Sequence, residues 1–268
     1  MERAFWLILR SAAPVEKKIP WRLEQEGMVE VPDCAVAIMA KAPWPGEVKT
    51  RLCPPLFHEE AAQLYRCFLL DKIKQVSALE EAAAAIAYTP DDAKSLFEGM
   101  VPPGFTLIPQ QGADLGERLA HTFQKLFACG HKGVLAVDSD TPTLPLSYLQ
   151  TACKLILEPK IDVVLGPSED GGYYLIGLKA FHPELFFEMQ WSNSQVLSET
   201  TRRAEAKGLK IAFLPAWYDV DTPEELQRLR LSLDSDHQTP AENTKLFFRN
   251  QSSFQERKGV KRRARPER

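Results

Sequence analysis

Apolar residues along this chain fall into short continuous runs separated by helical stripes. The first clear run is Cys34–Ala40 (CAVAIMA), the pattern of a strand buried on both faces. Residues 57–79 then place Leu64, Cys67 and Phe68 at helical spacing and predict a long helix. The alternation continues, with strands at 83–88, 105–108, 133–137, 161–165, 173–178 and 209–214. Helices are expected between them at 91–98, 115–127, 145–157, 194–207 and 222–233. Gly130 and Gly208 stand where helices end. Thr222, Pro223 and Glu225 give a cap, a first-turn proline and a capping-box acid. Strands alternating with helices predict an α/β fold, Rossmann-like, with a mainly parallel central sheet flanked by helices. Ligands of such sheets bind beyond the carboxyl ends of the strands, so the residues after each strand are the candidates for chemistry.

The periodic part predicts one domain over 34–233. Residues 1–33 read as an N-terminal extension with no sustained period, and 234–268 as a polar, basic, flexible tail. Among the 268 residues, 44% are hydrophobic and 26% charged, as in a soluble globular protein. No run approaches the roughly 18 apolar residues of a membrane span. The apolar stretch Ala4–Leu9 is too short for a secretory signal and lacks a small-residue cleavage site. The five cysteines are scattered, with no CxxC pair, which points to a reducing, cytoplasmic setting. The five histidines lack zinc-type spacing. Residues 257–268 carry seven Lys/Arg and one Glu, a local +6 within a chain of net −3, which leaves −9 on the rest. So acidic a body argues against a nucleic-acid-binding surface, and the lack of a long apolar run argues against stable membrane insertion.

Acidic and basic groups cluster after the predicted strands. Lys41, Gly46, Lys49 and Arg51 lie on a Pro/Gly-bent loop after the first strand, suited to backbone and cationic contacts with a polyphosphate. Asp138 and Asp140 close an apolar strand, and paired carboxylates supply the hard oxygens that Mg²⁺ or Mn²⁺ prefers. Asp170, Gly171, Gly172 and Tyr173 follow another strand: the glycines permit close backbone approach, Asp170 could accept from hydroxyls, and Tyr173 could stack on a ring. The same Asp-Gly is also an ordinary hairpin dipeptide. Asp219 and Asp221 precede the capping box, where helix-terminus chemistry is the competing explanation. Gly112, Asp114 and Arg118 sit in a loop opening a helix, placed to read a base or to set Arg118 on a phosphate.

These stretches resemble a known family. KAPWPGEVKTRL (Lys41–Leu52), QGADLGERL (Gln111–Leu119), VDSDTP (Val137–Pro142), GPSEDGGYYLIG (Gly166–Gly177) and DVDTPEEL (Asp219–Leu226) are similar to motifs of the nucleotide-diphospho-sugar transferases of GT-A fold. The closer likeness is to a bacterial group, once a domain of unknown function and now labelled as glycosyltransferases associated with arsenosugar biosynthesis. The resemblance implies Asp140 as the first metal ligand, with Asp138 beside it and Asp221 as a further ligand. It implies that Lys41, Lys49 and Arg51 face phosphates and that Asp170, Gly171 and Gly172 line the sugar or acceptor pocket. The implied activity is a metal-dependent glycosyltransferase with a nucleotide-sugar donor, a small acceptor and room for a homo-oligomer; Asp140 and, by its position alone, Asp170 are the catalytic candidates. The KTRL loop also resembles phosphate loops of nucleotidyltransferases, so coupling a nucleoside triphosphate to a phosphorylated acceptor is the alternative. The absence of a GGxSxR turn after the first strand favours sugar transfer. A non-catalytic binding module, the third reading, would be expected to lack the acidic cluster that is present here.

Overall fold

The computed structural model describes residues 31–191, 193–235 and 240–250. Seven strands form one sheet: β1 (Cys34–Lys41), β2 (Ala82–Thr89), β3 (Thr106–Pro109), β4 (Gly133–Val137), β5 (Val163–Pro167), β6 (Tyr173–Leu178) and β7 (Ile211–Phe213). The helices are α1 (His58–Ser77), α2 (Lys94–Glu98), α3 (Leu115–Ala128), α4 (Leu146–Leu157), α5 (Val196–Ala206) and α6 (Pro223–Ser235). The helix expected at 91–98 is divided, its first turn a 3-10 turn over Asp91–Ala93.

The strand order is β3-β2-β1-β4-β6-β5-β7. Every neighbouring pair is parallel except the two that involve β6, which runs antiparallel to β4 and β5. Only residues 168–172 join β5 to β6, too few for the crossover a parallel neighbour requires. The reversal brings the 168–172 turn to the edge where β1, β4 and β7 end.

Side chains alternate across the sheet. Val36, Ile38, Leu135 and Val137 face one core with α1, α4 and α6, through Phe68, Leu149 and Leu226. Ala35, Ala37 and Ala136 face the other, where small residues admit Leu119 and Phe123 of α3 and Ala204 of α5. The central strands β1, β4 and β6 are thus covered on both faces, which explains their continuous apolar sequence, while the edge strands β3 and β7 are partly exposed.

Residues 242–250, inside the stretch expected to be a flexible tail, are helical. Ala241, Thr244 and Phe247, three residues apart, are buried together. Asp71 of α1, 1% exposed, accepts from the backbone N–H and side-chain amide of Asn243 and from the N–H and hydroxyl of Thr244, at 2.7–3.0 Å. A buried carboxylate with four donors anchors this segment despite its polar sequence. The basic stretch 257–268 and residues 1–30 lie outside the described residues. Among the described residues no helix is long and apolar enough to cross a membrane.

Candidate functional site

The carboxyl edge of the sheet gathers the acidic groups. Asp138 follows β4, its N–H donating to Tyr174 O at 2.9 Å, and the next residues turn back beneath α1. Val220 N–H donates to Asp140 O at 3.0 Å, which ties the segment before α6 to this loop. Asp140 and Asp221 thereby face each other. Between them lies the Lys49 ammonium, 2.5 Å from Asp140 Oδ1 and 2.6 Å from Asp221 Oδ1, with its side chain 4% exposed. Lys49 caps the 3-10 turn Thr50–Leu52 in the left-handed region, φ 50° and ψ 34°. A non-glycine residue there carries strain of about 1–2 kcal/mol. Two charged contacts offset that strain. Burial alone would push this ammonium below the ordinary lysine range, but Asp140 and Asp221 outweigh it and hold it above.

A second buried cation was not anticipated. Lys72 of α1 is fully buried, and its ammonium donates to Thr141 Oγ1 at 2.8 Å and Thr141 O at 3.0 Å, 3.7 Å from Asp138 Oδ1. The Thr141 hydroxyl in turn donates to Asp138 Oδ1 at 2.6 Å. Burial lowers Lys72, opposed by Asp138 and Asp140. Asp138 is pushed up to about 6, by burial above all, with Lys72 opposing and Asp140 adding. Asp140 is raised as well, by burial first, with Lys49 opposing and Asp221 adding. Asp219 is pushed up to about 8 by burial and by the charges of Asp138, Asp170, Asp221 and Asp140; the Ser168 hydroxyl donates to it. Five aspartates therefore share one region with two buried lysines. The sequence did carry a signal for Lys72: it falls on the buried stripe of Leu64 and Phe68, one further turn along. Tyr65, which accepts from Lys41 N–H at 3.1 Å and pairs with the Ser139 hydroxyl at 2.8 Å, was also missed.

A cavity of about 290 Å³ opens beside the acidic loop, lined among others by Lys41, Gln110, Arg118, Asp138, Asp140 and Tyr173. Its size is just below the range of small-molecule sites, about 300–1,000 Å³. Lys41 turns its ammonium back on its own loop, to Glu47 O at 2.9 Å. Arg118 is fixed by Nε–H donation to Gly112 O at 3.1 Å. Gly112 has φ +134°, and a Cβ there would lie 2.3 Å from Glu117 Cβ, so the loop is closed to larger residues. Asp114 caps α3, accepting from Glu117 N–H at 2.9 Å, while Glu117 reaches back to Ala113 N–H at 2.7 Å. Its carboxylate is thus occupied in holding the helix start.

The remaining candidates lie around this centre. Gly46 is exposed at the loop apex and Arg51 is exposed in the 3-10 turn; neither lines the cavity. Asp170 is exposed, accepts from Gly172 N–H at 2.8 Å, and stands close enough to Asp219 to raise it. Gly171 has φ +91°, and a Cβ there would lie 2.2 Å from Ser194 O, so only glycine fits. The Asp-Gly pair is therefore both a hairpin turn and a neighbour of the acidic centre. Tyr173 lines the cavity, and its buried hydroxyl is directed at the buried Thr200 hydroxyl of α5. Among the described residues no three His, Cys, Asp or Glu converge on a point as metal ligands. Asp138, Asp140 and Asp221 are brought near one another, with ammonium groups between them.

The family described as "Uncharacterized protein conserved in bacteria (DUF2064)" matches residues 72–193, a stretch that begins at Lys72 and spans the acidic loop and the hairpin. No curated protein matches the sequence significantly. A crystal structure of a candidate nucleotide-diphospho-sugar transferase from Desulfovibrio desulfuricans G20 is 32% identical, covers 83% of this chain and 96% of its own, and superposes with a TM-score of 0.77. More distant likenesses share the fold alone. A CMP:2-keto-3-deoxy-manno-octonic acid synthetase complexed with CTP is 12% identical over 76% of this chain and 99% of its own, with a TM-score of 0.52. A cytidylyltransferase from Leptospira borgpetersenii serovar Hardjo-bovis is 12% identical over 82% and 95%, with a TM-score of 0.51. With the identity and coverage of the Desulfovibrio relative, the chain belongs to the GT-A-like nucleotide-diphospho-sugar transferase family.

Proposed function

We propose that this protein is a glycosyltransferase that uses a divalent metal to move a sugar from a nucleoside-diphosphate donor to a hydroxyl of a small acceptor. One observation carries the reading: a single cavity is lined both by the carboxylates Asp138 and Asp140 and by the cations Lys41 and Arg118. Carboxylates suit a metal, and cations suit the diphosphate of a nucleotide-sugar donor. The donor chemistry fits Mg²⁺ or Mn²⁺, which take aspartate oxygens together with phosphate oxygens and water. Asp138 and Asp140 are the ligands in this reading, with Asp221 across from them. The bound metal would supply neutralisation of the charge that grows on the departing diphosphate.

The protein's own groups do the rest. Lys41 and Arg118 hold the phosphates, and Arg51 and Gly46 present the exposed side of the same loop. The Tyr173 ring and the backbone of Gly171 and Gly172 border the sugar. The acceptor oxygen bonds to the anomeric carbon as the bond from that carbon to the phosphate oxygen breaks, and the electron pair leaves with the nucleoside diphosphate. The acceptor's proton passes to the Asp170 carboxylate, which the hairpin holds at this edge.

A thermal-shift panel with Mn²⁺ or Mg²⁺ tests this, because a ligand of the native state raises its midpoint. Metal-dependent stabilisation by one nucleoside diphosphate and its sugar conjugate, lost in Asp140→Asn, is the expected result. Release of the nucleoside diphosphate during turnover completes it. Stabilisation by a triphosphate above all else, with pyrophosphate released, overturns the glycosyltransferase reading in favour of nucleotidyl transfer.

A further inference from the structure

The space between Asp140 and Asp221 is built by two distant parts of the chain, joined by Val220 N–H to Asp140 O. A cation already fills it. The Lys49 ammonium lies within 2.6 Å of one oxygen from each carboxylate, and 5.8 and 5.6 Å from the centres of the Tyr65 and Phe68 rings. A divalent ion held by the same oxygens at about 2.0–2.1 Å needs the same space. Two cations that close also repel each other, although Asp140 and Asp221 are 34% and 40% exposed and water screens part of that repulsion. Lys49 and such a metal therefore exclude each other.

We propose that Lys49 is an exchangeable cation: it fills the gap between Asp140 and Asp221 in the metal-free protein and yields it when a divalent ion binds. Its ammonium then moves to the phosphates that arrive with the ion. This rests on the metal-dependent reading given above. The placement suits an exchange. Lys49 belongs to the loop after β1, whose last residue, Lys41, lines the cavity with Asp140, and its head is carried on a flexible four-carbon stem. Held between two aspartates, the ammonium keeps the acidic centre folded without a metal. Given phosphate oxygens, it gains a new partner as it loses the old one. Metal alone must bind against this competitor, so metal and diphosphate together bind better than either by itself.

The test is a titration of the full chain with Mn²⁺ alone, followed by the loss of the free-ion signal in electron paramagnetic resonance. Lys49→Met is expected to bind Mn²⁺ about tenfold more tightly than the wild type, because the competing charge is gone. Pyrophosphate should tighten Mn²⁺ binding to the wild type and lose most of that effect in the variant. A second measurement uses the wild type and does not depend on the variant folding: acetylation of Lys49 by a water-soluble ester, read by mass spectrometry. Lys49 should be protected without Mn²⁺ and become reactive as Mn²⁺ saturates the protein. If Lys49 stays protected at saturation, or if folded Lys49→Met binds Mn²⁺ no more tightly, Lys49 is a fixed structural cation. The exchange is then overturned while the metal-dependent reading stands. If neither protein binds Mn²⁺ with or without pyrophosphate, the metal reading falls and takes the exchange with it.

Discussion

Replacing Lys72 with methionine keeps most of the side-chain volume and removes a charge that is fully buried. Two hydrogen bonds from a charged donor are lost, to Thr141 Oγ1 and Thr141 O, and Asp138 loses an ammonium 3.7 Å away. Bonds of that kind contribute about 1.5–3 kcal/mol each. Against this, the variant no longer buries an ammonium, whose desolvation costs several kcal/mol. Removing one partner of a buried pair destabilises by about 3–5 kcal/mol overall. The low end applies here, about 3 kcal/mol, because the Thr141 hydroxyl still donates to Asp138 and the carboxyl can take up a proton. That proton sets a pH signature. Asp138 is pushed up to about 6, chiefly by burial, while Lys72 opposes the rise; without Lys72 it titrates higher still. A carboxyl raised in the folded state contributes stability at low pH that is lost as pH rises through the folded value. The variant loses more, so the gap between the two proteins is narrow near pH 5 and widens between pH 6 and 8. Urea unfolding in EDTA-containing buffer at pH 5 and pH 8 measures both quantities. A difference below about 1 kcal/mol at pH 8, or one that is the same at both pH values, refutes this account of Lys72.

Other substitutions probe separate parts of the same argument. Asp71→Ala strands four donors of Asn243 and Thr244 and should cost about 2–4 kcal/mol, with limited proteolysis reporting early cleavage around residues 240–250. Gly171→Ala forces a Cβ against Ser194 O at a positive φ, so its thermal midpoint should fall, whereas Gly46→Ala, with nothing within 4 Å of a Cβ, should show only the smaller backbone strain. Thr222→Ala removes one half of the capping box at α6, where Glu225 also accepts from Thr222 N–H at 2.8 Å, and should cost about 1 kcal/mol by chemical denaturation.

The architecture was legible because its central strands are buried on both faces. Cys34–Lys41 and Gly133–Val137 have no polar side to disguise them, and the carboxyl-edge rule then located Asp138, Asp140 and the loop of Lys49. The direction of β6 was less visible, since Tyr173–Leu178 reads the same either way; only the short 168–172 connection encodes the reversal. The partners of the charged residues were not legible at all. Lys49 pairs with Asp221, 172 residues away, and Lys72 with Thr141, 69 away, and local sequence carries no trace of such encounters. Asp114 was picked out for its motif, yet its place before α3 and the Glu117 three residues on were enough to mark it as a cap. The segment at 240–250 looked like tail because its buried stripe is narrow and its anchor, Asp71, lies on another helix.

Gln75 ties two of these regions together. Its side-chain amide donates to Pro142 O in the acidic loop at 3.1 Å and to Pro240 O at the start of the terminal segment at 3.3 Å. With Asp71 and Lys72 on the same stretch of α1, three residues clasp the acidic loop on one side and residues 240–244 on the other. The two should therefore open as one cooperative unit, so that slow native-state amide exchange along 242–250 reports on the integrity of the loop holding Asp138 and Asp140.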